Sequence, residues 1–146
     1  MYEGFLGVHH HTVDDKGRVV LPAKYRARLE RGAVVTPSPD SCLHVYPVDR
    51  FQEEVDALVS GPRSDPGTRA RARAFLGAAS DQTVDAQGRM ILPAALRTGA
   101  GLQREVVVVG VGAYLEIWDA ASWPGEEARA DAVLRQHRAI AGEEER

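Results

Sequence analysis

A stretch of fifteen residues occurs twice in this chain, and a duplicated unit limits the possible folds more than any other feature of the sequence. TVDDKGRVVLPAKYR (12–26) lies over TVDAQGRMILPAALR (83–97) with nine of 15 positions identical. Chance would supply about one. The shared residues are Thr12/Thr83, Val13/Val84, Asp14/Asp85, Gly17/Gly88, Arg18/Arg89, Leu21/Leu92, Pro22/Pro93, Ala23/Ala94 and Arg26/Arg97. The copies stay in step afterwards. Two short β-type runs, 33–36 and 42–46, flank the turn-rich TPSPDS, and 106–109 and 114–118 repeat them across Gly110-Val111-Gly112. Tyr46 and Trp118 fall at matching places.

Each copy therefore reads as strand, turn, strand, short helix and hairpin. Gly17 and Gly88 suit the positive φ of a tight turn. Val19–Leu21 and Met90–Leu92 are apolar, β-prone runs. Pro22 and Pro93 suit the start of a helix. The first helix is expected to run to about Glu30 and stop near Gly32, the second to stop near Gly99 or Gly101. A unit of about 45 residues can barely bury a core alone. The expected fold is thus mainly β with short helices, two tandem units completing one another as an intramolecular pseudo-dimer barrel. The expected organisation is a first unit over 5–48, a helical connector over 49–75, a second unit over 76–120, and a C-terminal helix and tail over 121–146. Within these, 49–59, 68–79 and 126–141 read as helical, 60–67 as a loop, and the final GEEER as a frayed tail.

Charge narrows the partners. The net charge is -3, low for a nucleic-acid binder. It is distributed unevenly: 16–31 carries Lys16, Arg18, Lys24, Arg26, Arg28 and Arg31 against Glu30 alone, whereas 126–145 is mostly acidic. Exposed charges are screened within roughly 8–10 Å, so a focused basic face can act within an acidic whole. The single cysteine, Cys42, excludes a disulfide framework and a Cys-rich zinc site, and reads as a small buried apolar residue. His9, His10 and His11 sit on a strand, where neighbours point to opposite faces, so three cannot converge on one metal. No apolar run reaches the roughly 18 residues of a membrane span, and no signal peptide precedes the first copy. No Gly-rich phosphate loop, zinc spacing or nucleophile elbow is present, and Gly110-Val111-Gly112 is a hairpin turn. Neither a cofactor nor a metal nor an enzymatic activity is expected.

Asp-x-x-x-Arg followed by an apolar run and Leu-Pro-Ala-x-x-Arg, present twice, resembles the MraZ family of the SpoVT/AbrB swapped-hairpin superfamily. FLG at 5–7 and YLEIWD at 114–119 extend the resemblance over nearly the whole chain. It implies a bacterial transcriptional regulator that binds short direct repeats in double-stranded DNA upstream of its own division and cell-wall gene cluster. It also implies assembly as a ring-shaped homo-oligomer, and residence in the cytoplasm over the nucleoid. Some superfamily members of the MazE type instead neutralise a toxin through an extended tail, so an antitoxin-like protein-partner module is the alternative; the short tail here weighs against it.

The residues supply a mechanism for DNA reading. Arginine offers a planar fork that fits guanine O6/N7 or a phosphate, so Arg18 is the leading DNA contact. Asp14 supports it from across the turn, because a carboxylate facing phosphates is repelled. As a structural ion pair alone, Asp14–Arg18 would contribute only roughly 0–1 kcal/mol. Arg89 and Asp85 repeat the pair, with weaker neighbours: Gln87 replaces Lys16 and Ala95 replaces Lys24. Lys16 at the turn tip suits a phosphate. Lys24, Arg28 and Arg31 would share one helical face, whose ordinary role is solvation. The expected DNA contacts are Lys16, Arg18, Lys24, Arg28 and Arg89, supported by Asp14, Gly17, Asp85 and Gly88. Arg26 and Arg97 read equally well as structural bonds to carbonyls or carboxylates. Trp118, Trp123, Phe75 and Tyr114 read as core or protomer interface, not as base-stacking platforms.

Overall fold

The computed structural model describes residues 1–144. Its strands are β1 (Phe5–Thr12), β2 (Arg18–Val20), β3 (Ala33–Pro37), β4 (Leu43–Pro47), β5 (Ser80–Gln82), β6 (Arg89–Ile91), β7 (Glu105–Gly112) and β8 (Leu115–Asp119). Its helices are α1 (Ala23–Arg26), α2 (Phe51–Leu58), α3 (Pro66–Leu76), α4 (Ala94–Gly99) and α5 (Trp123–Glu144).

Pairing runs across the two copies. A six-stranded antiparallel sheet has the order β1-β7-β8-β4-β3-β5, and β2 pairs with β6 in a separate ribbon. Because β5 follows β1 in the repeat, β7 follows β3 and β8 follows β4, that order reads the same from either end. A pseudo-two-fold axis therefore passes between β8 and β4. In the ribbon it passes through the Val19↔Met90 pair, two residues that are themselves counterparts. In the sheet it passes through His44↔Glu116.

The strand period of two decides what is buried. Val19 and Met90 point inward from the ribbon and are fully buried. They join Leu21, Leu29, Val35, Val45, Leu92, Val106, Val108, Leu115 and Ile117 in one core drawn from both copies. The other face of the sheet is covered too, by a smaller cluster of Cys42, Val107, Val109 and Trp118 packed under Trp123. Phe75 stacks on Phe51, joining α3 to α2, and Tyr114 lies against Tyr46 and His44. The aromatic residues are thus packed within the chain.

The architecture departs from the expected one in four places. The barrel is not closed: the sheet ends on β1 and β5, which do not pair. After Thr12 the chain turns into the ribbon, which satisfies its backbone across the pseudo-dyad and not along the sheet edge. The first helix is only four residues, continued by a 3-10 turn over Ala27–Leu29. It stops early because Gly32, at φ 118°, carries the chain straight into β3. The helix α3 starts two residues before Thr68, since Pro66 fits its first turn and the Asp65 carboxylate accepts from Thr68 N at 3.0 Å. The last helix extends from Trp123 through Gly142 to Glu144, so most of the expected tail is helical; Glu145 and Arg146 lie outside the described residues.

A core shared by both copies should unfold as one. Leu21→Ala truncates a fully buried side chain in the first copy and is expected to cost about 2–5 kcal/mol. Urea unfolding followed by fluorescence of Trp118 and Trp123, both in the second half, should show a single transition at lower urea. An unmoved tryptophan transition would mean that the copies fold independently.

Candidate nucleic-acid interface

The repeated turn is built the same way twice. Asp14 Oδ1 accepts from Lys16 N and Arg18 N, both at 2.9 Å. Its Oδ2 accepts from Arg18 Nε at 2.7 Å. Asp85 Oδ1 accepts from Gln87 N at 2.9 Å and Arg89 N at 2.8 Å, and its Oδ2 from Arg89 Nε at 2.8 Å. Gly17 and Gly88 hold the turns open at φ 76° and 79°. The hydrogen bond that the Arg18 or Arg89 backbone N–H donates, followed by that of the guanidinium, holds each carboxyl below the ordinary 3.8. The sign follows: a depressed folded value gives stabilisation that is complete above the ordinary value and is lost as pH falls through the lower one. Both turns are therefore fully tied at neutral pH.

The carboxylates engage only Nε. Among the described residues neither Arg18 nor Arg89 gives its two Nη groups a partner, so each fork is aligned yet free. Both side chains are partly exposed, at 29% and 33%.

Ribbon pairing brings the two turns together. Arg18 lies opposite Ile91 and Val20 opposite Arg89. Two reciprocal bonds at 2.8 Å, Leu21 N to Gly88 O and Leu92 N to Gly17 O, lock the crossing. The outward face of the ribbon thus carries Arg18, Val20, Arg89 and Ile91, with both aliphatics exposed. Diagonal strand partners stand about 7–8 Å apart, so the two forks present themselves as one dyad-related pair. A two-stranded ribbon is narrow enough for a DNA major groove, where Val20 and Ile91 can meet thymine methyls. Sequence reasoning missed these two residues by treating 19–21 and 90–92 as uniformly apolar. The period-two alternation beginning at Arg18 was the available signal.

The other expected contacts divide. Lys16 is exposed at the turn tip, beside Arg18. Lys24 and Arg28 are drawn elsewhere: Lys24 Nζ lies 5.3 Å from the centre of the Tyr25 ring, and Arg28 Cζ 5.1 Å from that of Phe5. Tyr25 donates its hydroxyl to Leu6 O, so this group faces β1. Arg26 and Arg97 are structural. Arg97 Nε donates to Leu92 O at 2.8 Å, and Arg26 Nη2 to Leu21 O at 3.3 Å. Each guanidinium also covers the other copy's turn. A Cβ on Gly17 would lie 2.9 Å from Arg97 Nη2, and one on Gly88 would overlap the Arg26 guanidinium.

Comparison with known proteins identifies the repeat. The family model described as "MraZ protein, putative antitoxin-like" matches twice in tandem, over 5–74 and 75–141. The chain is similar to the "Transcriptional regulator MraZ" of Thermobifida fusca (strain YX), 42% identical over 132 residues, covering 90% of this chain and 92% of that protein. The proteins of the same name from Kocuria rhizophila and Clavibacter michiganensis subsp. michiganensis are each 45% identical over 119 residues, covering 82% of this chain and 83% of theirs.

Gly17→Ala and Gly88→Ala test the turns. Each is expected to cost about 1–2 kcal/mol for the left-handed backbone alone, and each also obliges the other copy's guanidinium, Arg97 or Arg26, to shift. Urea midpoints of the two variants against the parent protein measure this.

Proposed function

The chain belongs to the MraZ family, and on that footing we propose that it is a sequence-specific, DNA-binding transcriptional regulator whose reading head is the β2–β6 ribbon. The family is one of transcriptional regulators, not of enzymes. The observation that carries the reading is the pair of arginine forks, each fixed through Nε by its own aspartate and open at Nη. Pre-orientation lowers the entropy lost when a fork docks on guanine or phosphate. Lys16 adds a phosphate contact at the tip of the first turn. Its counterpart Gln87 is uncharged, so the first copy grips the backbone more strongly. Lys24 and Arg28 reach only phosphates that pass beside β1.

One ribbon is a small footprint, so affinity is expected to come from several protomers on repeated boxes in one operator. The exposed apolar side chains of Leu6 and Val8 on the edge strand β1, beside Val111 on β7, support head-to-tail self-association that closes as a ring. We place the operator upstream of the protein's own division and cell-wall genes, and the protein in the cytoplasm over the nucleoid. No helix among the described residues is long and apolar enough to cross a membrane.

A second reading, a protein-partner module, is favoured by one observation: residues 127–140 of α5 are exposed throughout, including Val133, Leu134 and Ile140. Co-purification of a stoichiometric protein partner in place of operator DNA would select it.

Binding to the duplex immediately upstream of the gene, compared with scrambled DNA over a salt series, tests the main reading. Arg18→Ala should cost about 1–3 kcal/mol and remove most of the preference for the operator. Lys16→Ala should weaken both duplexes alike and reduce the salt slope by about 1. A folded Arg18→Ala protein that still binds the operator normally would sink the proposal.

A further inference from the structure

The outer face of the sheet brings the lone cysteine to a histidine and a glutamate on the pseudo-dyad. Cys42 immediately precedes β4 and lies two residues before His44, and His44 lies directly opposite Glu116 in the β4–β8 register. Cys42 Sγ is 3.9 Å and His44 Nε2 3.5 Å from Glu116 Oε2, and the three ligand atoms all lie within 4.8 Å of one another. Tetrahedral zinc, with bonds of about 2.0–2.3 Å, places its ligands about 3.3–3.7 Å apart, so the two separations from Glu116 are already near that spacing, and the Cys42–His44 separation, within 4.8 Å, closes with a side-chain adjustment on the order of 1 Å. Cys42 is 2% exposed and His44 9%. Among the described residues, His44 Nε2 has no hydrogen-bond partner although it is buried. The nitrogen stands at ion-pair distance from Glu116 Oε2 without a formed hydrogen bond, so a buried imidazole faces a thiol and a carboxylate with its bonding capacity unused.

The surroundings orient all three groups. His44 Nδ1 is 3.1 Å from the Tyr46 hydroxyl, which turns Nε2 toward Glu116. Trp118 Nε1 donates to Glu116 Oε1 at 3.0 Å, leaving Oε2 for the cluster. Ser38 Oγ lies 3.1 Å from Cys42 Sγ. Metal-binding histidines and carboxylates are held by outer partners of this kind. A cavity of about 440 Å³ lined by Ser38, His44, Tyr46, Phe75 and Tyr114 leads to the imidazole.

We propose that Cys42, His44 and Glu116 form a three-ligand site for a divalent transition metal of the zinc class. Thiolate with imidazole selects such an ion over magnesium or calcium. On binding, the thiol proton passes to solvent, the sulfur electron pair forms the metal bond, and water completes the tetrahedron. Because His44 belongs to the first copy and Glu116 to the second, the metal would clamp the two halves on the sheet side of the axis, opposite the ribbon.

Cobalt(II) titration of the reduced, chelator-treated full-length protein tests this. The expected result is a sulfur-to-cobalt charge-transfer band that saturates at one ion per chain and is displaced by zinc. The chain has one cysteine, so that band can report only Cys42. Cys42→Ser should abolish it. His44→Gln and Glu116→Gln should weaken cobalt binding by more than the roughly 10–100-fold that loss of an outer partner costs. Zinc should raise the melting temperature of the parent protein but not that of Cys42→Ser, whose melting without metal serves as the folding control. No saturable thiolate band, or an equal zinc-induced rise in Cys42→Ser, as binding at His9–His11 would give, overturns the proposal.

Discussion

The two reciprocal backbone bonds between Leu21 and Gly88 and between Leu92 and Gly17 join the halves of this molecule at its axis. Each turn is closed within its own copy, but its glycine carbonyl is satisfied only by the other. Each glycine carbonyl accepts from the other copy's strand, and each turn is covered by the other copy's Arg26 or Arg97. The same crossing sends Val19 and Met90 into a common core. A lesion on either side of the axis is therefore felt on both, and the outward arginines inherit their relative position from a rigid backbone crossing. Their placement does not depend on long side chains finding one another.

Electrostatics follows from that geometry more than from composition. A chain of net charge -3 would be a poor unselective DNA coat. It can still present two guanidinium forks at a tip where each carboxylate is engaged by its own turn. Asp14 and Asp85 spend their acceptor capacity on the turn amides and on Nε, so the negative charge is consumed locally while the forks remain open. An arginine tied through Nη would have been a structural ion pair; tied through Nε, it is an aligned donor.

Much of this was legible along the chain. The duplication, the glycine turns, the Asp–Arg pairing and the predominance of strands follow from residue types at fixed spacing, because hydrogen bonds four residues apart are local. Other features were hidden for a physical reason. Lys24 and Arg28 share a face on an ideal α-helix, but the switch to a 3-10 turn after Arg26 and the aromatic rings of Tyr25 and Phe5 redirect them. Val20 and Ile91 look like core residues until the ribbon turns their side outward. Cys42 reads as a small apolar residue, and it is buried, yet its neighbours His44 and Glu116 come together only through cross-strand register.

What the sequence by itself determined is the unit: two copies, their turns, and the residues that close each turn. Those depend on interactions spanning a few residues, which spacing encodes directly. The tertiary structure decided how the units combine. It left the barrel open, crossed the strands between copies, aligned two forks on one face and set Cys42 beside a carboxylate 74 positions away. Such pairings depend on register and on which face each strand buries, and those are settled only when both halves compete for one core.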